Sequence, residues 1–84
     1  MSDSMVRSKL DGSVLLTKRQ VEMVGLLACG HNVREAATAL GLSVHTASGH
    51  SKAVMRRLGA KNRAELVLLA VRHGFIRVPT HPVS

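Results

Sequence analysis

At about 100° per residue, the stretch Val44–Leu58 separates into two faces. Ala47, Ser51, Val54 and Leu58 fall on one side, with His50 at its edge. His45, Gly49, Lys52 and Arg56 fall on the other, flanked by Ser48 and Ala53. The first face suits a core and the second suits contact with something charged. This stretch is the third of four between Leu16 and Ile76, each with a helix start and stop. Thr17 and Gly30 bracket the first, Asn32 and Gly41 the second (Val33–Leu40), Ser43 and Gly59 the third, and Asn62 and Gly74 the fourth (Arg63–His73). Ser, Thr and Asn accept hydrogen bonds from the free N–H groups of a first helical turn. Glycine past the last turn takes the left-handed conformation that closes a helix. Thr17 with Gln20, Asn32 with Glu35 and Asn62 with Glu65 have the form of a capping box, and Leu16 with Val21 that of a hydrophobic staple.

The pattern predicts an all-α, compact four-helix domain over residues 16–76, between mobile tails at 1–15 and 77–84. The second and third helices, joined by a short turn through Gly41, have the form of a helix-turn-helix, with Leu42 packed in the turn. In the fourth, Leu66, Val67 and Ala70 fall together and should face the core. Leu68 and Leu69 fall on the other side beside Glu65 and Arg72, which suggests a pairing surface. The competing reading has Phe75 and Ile76 folding over one of these leucines.

Charge sharpens this picture. The chain of 84 residues has a formal net charge of +7, and seven of its twelve Lys/Arg but one of its five Asp/Glu lie in residues 43–84. A one-sided basic surface is the footprint of a polyanion binder. Small residues let a helix approach the floor of a major groove, where Lys and Arg reach guanine edges or phosphates. With one aromatic residue, Phe75, the core must rest on Leu, Val, Ala and Met, and pairing of subunits would help so small a domain. The single Cys29 cannot form an internal disulfide, and no signal peptide is present, which fits a reducing cytoplasm. No apolar stretch is long enough to span a membrane. The five histidines (His31, His45, His50, His73, His81) are scattered without ligand spacing, and no Ser-His-acid, Cys-His or phosphate-cradling glycine arrangement exists. Neither a metal, a cofactor nor an enzyme is expected.

A series of residues at fixed spacing then resembles one family. Leu16-Thr17-Lys18-Arg19, Leu27-Ala28-Cys29-Gly30, Glu35 to Ser43, Thr46, His50, Arg57-Leu58-Gly59-Ala60, Asn62 to Val67 and Ala70 are similar to the LuxR/GerE-type helix-turn-helix DNA-binding domain, the NarL/FixJ-like effector domain. The resemblance covers residues 16–76 without a gap. It implies four helices, transcriptional regulation and binding of double-stranded DNA as a homodimer through the fourth helix, at an inverted-repeat site. Carried over by position, it assigns DNA contact to Ser48, Gly49 and Lys52, a phosphate to Thr46, and support of the helix to His50. His45 and Arg56 lie on the same outer face. Lys61 and Arg63, near the fourth-helix start, suit backbone contacts, and the tails offer Arg7, Lys9 and Arg77. Leu68, Leu69 and Arg72 fall to dimerisation. RNA polymerase or a related regulator is a further expected partner, and the location a nucleoid-associated cytoplasmic one.

The chain departs from the family where Ser48 replaces the usual Lys or Arg, where Ala36 and Ala47 replace larger residues, and where Gln20 replaces Glu. Ser48 predicts weaker binding, a shallower salt dependence or a different base preference. The two alanines predict closer helices, with Met23 and Met55 filling gaps. These departures leave a rival reading, a protein-interaction module that pairs with and antagonises a related regulator. A sigma-factor-like promoter module is a second rival, disfavoured by the Asn62–Leu66 segment. A sensor domain, if the chain is a piece of a larger one, would lie before it; a complete chain would be controlled by abundance or a partner.

Overall fold

The computed structural model describes residues 4–78. Its elements in chain order are β1 (Met5–Arg7), β2 (Leu15–Thr17), α1 (Lys18–Ala28), α2 (Val33–Leu40), α3 (Val44–Leu58) and α4 (Arg63–Arg72). The four helices fall where the caps put them. Thr17 and Asn32 form complete capping boxes with Gln20 and Glu35. Gly41 and Gly59 close α2 and α3 at φ 69° and 72°. The third expected box is displaced. Asn62 accepts from Glu65 N, but the Glu65 carboxylate reaches one residue further back and accepts from Lys61 N at 2.8 Å.

The N-terminal segment differs from the aperiodic tail expected over residues 1–15, of which 1–3 lie outside the described residues. β1 and β2 pair antiparallel, Val6 opposite Leu16. Asp11-Gly12-Ser13 makes the turn: Val14 N donates to Asp11 O at 3.0 Å, and the Asp11 carboxylate accepts from Ser13 N and its hydroxyl at 3.0 and 2.7 Å. These two hydrogen bonds hold the Asp11 carboxyl below the usual carboxylate range. Asp-Gly between apolar residues is a turn signal. Strands of three residues are too short to announce themselves by alternation. Of the expected tail at 77–84, Arg77 and Val78 are exposed and outside any element, and 79–84 lie outside the described residues.

The core gathers Leu16, Met23, Val24 and Leu27 beneath Ala36, Ala37, Ala47, Val54, Leu58, Leu66, Ala70 and Phe75. Ala36 and Ala47 are both fully buried, and α2 and α3 make the most extensive helix–helix contact. Met23 is fully buried in the core and Met55, partly buried, packs against it. On α4 the apolar residues sort less cleanly than expected. Leu66 and Ala70 are buried, Val67 is half-buried, Leu68 is 58% exposed, and Leu69 packs against the core. Phe75 joins the core because the chain turns back at Gly74, where φ is 78°, and Phe75 N donates to Ala70 O. Cys29 is exposed at the α1 C-cap. With Gly25, Leu26, Ala39, Leu40 and Glu22 it lines an open groove of about 450 Å³.

Candidate nucleic-acid interface

The site begins with the local closure of α3. Ser43 Oγ accepts from Thr46 N at 3.1 Å and donates to Thr46 Oγ1 at 2.9 Å. The Thr46 hydroxyl proton is thereby left to be donated outward, beside the free N–H groups of the helix N-terminus. The faces then divide as the periodicity requires. Ala47, Ser51, Val54 and Leu58 are buried. His45, Thr46, Gly49, Lys52 and Arg56 are exposed, and Ser48 and His50 half-buried. A side chain at Gly49 would meet nothing within 4 Å. The outer surface is therefore shallow in its first two turns and cationic in the last two. Arg56 and Arg57 also stand in the last turn, where cations complement the helix dipole. Arg57 is not free, since it donates to Leu15 O at 3.3 Å.

Lys61 is exposed in the α3–α4 turn, its own N–H held by Glu65. Arg63 is differently employed from the DNA-backbone contact expected of it. Its guanidinium donates to Leu27 O at 2.7 Å and to His31 O. The last turn of α1 holds no basic residue, and Arg63 supplies the cation there from α4. A sequence pattern gives no sign of this contact, because its partners are backbone carbonyls more than thirty residues away. Arg72 and Leu68 are exposed on α4, and Leu69 is turned partly inward. Arg7 of the N-terminal segment donates to Gly12 O at 2.7 Å and so braces the hairpin. Among the described residues no three His, Cys, Asp or Glu side chains gather into a metal-binding group. No helix of the described residues is long and apolar enough to cross a membrane.

A two-helix unit with a short glycine turn, its second helix exposing a small and basic face, defines a helix-turn-helix domain. The family model for the luxR family of bacterial regulatory proteins (GerE) matches residues 14–70, and the chain belongs to that family. It is 35% identical over 66 residues to the transcriptional regulatory protein MctR of Rhizobium johnstonii, covering 79% of this chain and 31% of MctR. It is 38% identical over 58 residues to the oxygen regulatory protein NreC of Staphylococcus aureus, covering 69% of this chain and 27% of NreC. The chain thus spans about a third of the length of these curated relatives. Among solved structures it resembles the transcription factor GerE, with a TM-score of 0.71 and 25% identity over 76% of this chain and 96% of that one. It also resembles the Vibrio cholerae VqmA dimer, a LuxR-type receptor with a target DNA, with a TM-score of 0.68 and 31% identity over 74% of this chain and 28% of that one. The fold is GerE-like, and the chain carries a small two-stranded sheet at its N-terminal side.

Proposed function

We propose that this chain binds double-stranded DNA sequence-specifically, with α3 in the major groove, and regulates transcription as a homodimer on an inverted-repeat site. The division of α3 carries this reading: four buried positions on one side, and His45, Gly49, Lys52 and Arg56 exposed on the other. Lys52 is the main donor to a base edge or phosphate, and Ser48 and Gly49 let the backbone approach the groove floor. Thr46 and Lys61 take phosphates, Arg56 tracks the backbone, and His50 supports the helix from the edge of the face. Arg63 belongs to the scaffold. Leu68 and Arg72 centre the pairing face of α4, with Leu69 at its inner edge. The dimeric VqmA neighbour supports pairing. RNA polymerase or a related regulator is the further partner, and the nucleoid the place of action. No metal or cofactor enters this reading.

The test is selection of random DNA by the purified chain near physiological salt. The expected result is an inverted repeat with half-sites about one helical turn apart. A single unpaired half-site would overturn the dimer. Recovery of no motif would overturn sequence-specific recognition and favour the protein-interaction module.

A further inference from the structure

The N-terminal hairpin is fastened to the end of α4 by one buried node. Ser8 is 4% exposed. Its Oγ lies 2.7 Å from His73 Nδ1 and accepts from Leu10 N at 3.0 Å and from Asp11 N at 2.9 Å. Beside it, Lys9 N donates to His73 O at 2.8 Å. The His73 ring is stacked on Phe75, with centroids 5.9 Å apart and planes 16° apart, and Phe75 is part of the core. The ring is thus fixed from both sides.

A hydroxyl has one proton to donate and two lone pairs to accept with. The Leu10 and Asp11 N–H groups occupy both lone pairs of Ser8 Oγ. Its proton is left for His73, so Nδ1 must be the acceptor and the ring neutral, with its proton on Nε2. An imidazolium carries N–H at both nitrogens. Its Nδ1–H would face an oxygen with no lone pair to spare, and the buried Ser8 hydroxyl would lose its acceptor. A buried polar group left without a partner costs more than a made hydrogen bond gains.

We infer that Ser8 and His73 form a pH-sensitive latch, in which neutral His73 holds the hairpin against α4 and protonation at Nδ1 releases it. The charged groups around the ring do not supply the switch. Asp11 on the hairpin faces His73. The Ser13 hydrogen bonds keep Asp11 ionised down to acid pH, so Asp11 does not titrate in the same window. Lys9, whose side-chain carbons lie over Gly74, is the other charged group of the hairpin beside this end. Arg72 on α4 and Arg77 beyond it are the remaining charged neighbours along the chain. The latched state excludes a proton that the released state accepts. Latching is therefore favoured where the ring is neutral and lost where it is protonated. β2 runs directly into the α1 cap, and the hairpin carries Val6 and Val14 against the core. Release would reach the start of α1 and the end of α4.

Amide hydrogen exchange on the full chain, read as protection factors between pH 8 and pH 5, tests the latch. The Lys9, Leu10 and Asp11 amides should lose at least about tenfold protection at the acid end, by local opening, while those of α2 hold theirs. His73→Asn places an acceptor oxygen near the Nδ1 position and cannot titrate, so protection should stay high and flat. Ser8→Ala should lose it at both ends. Wild-type protection that is flat across the range, or a His73→Asn variant that keeps the drop, would overturn the latch. Should His73→Asn loosen the hairpin at every pH, ring ¹⁵N shifts of the wild type decide. The neutral Nε2–H tautomer at pH 8 supports the latch and the Nδ1–H tautomer overturns it.

Discussion

The α2–α3 unit and the hairpin–α4 end differ in the balance of local and cross-chain fastenings. Around α2 and α3 every helix end is closed within a few residues: Asn32 with Glu35, Gly41, Ser43 with Thr46, and Gly59. At the other end the fastenings cross the chain. Ser8 meets His73, 65 residues away, and Arg63 reaches Leu27 and His31. Locally closed helices keep their faces when distant parts loosen, which suits a surface that must present Ser48, Gly49 and Lys52 in fixed register. An end made of long-range contacts opens as a unit when one contact is lost, which suits control.

The largest effect should come from the position that serves the cross-chain end. Leu16 is fully buried where β2 enters α1. Leu16→Ala should cost about 2–5 kcal/mol in urea unfolding, a large part of the stability of so small a domain. A loss below about 1 kcal/mol would mean that the hairpin side contributes little and the two regions are alike in dependence.

Lys52→Glu should act on the opposite region and leave the fold alone. DNA affinity should fall by about 1–3 kcal/mol, roughly five- to 150-fold, in fluorescence anisotropy at fixed salt, with an unchanged unfolding midpoint. An unchanged affinity would remove the exposed α3 face from recognition.

Asn32→Ala should produce the smallest of the three effects. It deletes one local capping box, for about 1 kcal/mol in thermal unfolding, and should leave exchange protection at Lys9, Leu10 and Asp11 as it was. Coupled loss at both places would erase the distinction between locally and distantly closed regions.

The four helices, two of three capping boxes and the separation of α3 into core and outer faces were legible in the chain. Each depends on residues within one or two turns of one another, so spacing alone expresses it. The α4 faces were only half legible. Leu69 falls toward Glu65 and Arg72 by angle, yet it stands only about 60° from Leu66 and packs against the core. A helix wheel does not know how far the core extends around a helix.

The sequence alone determined the helical frame, its basic C-terminal half and the surface offered by His45, Gly49, Lys52 and Arg56, because caps, glycines and periodicity act locally. Tertiary structure alone decided that residues 5–17 form a hairpin, that Arg63 serves the α1 terminus, and that Ser8 and His73 meet. Each of these is a hydrogen bond or packing contact between groups far apart in the chain. Such a partner is chosen by which backbone and side-chain groups the fold buries together, since a buried polar group must find one, and no spacing rule records that choice.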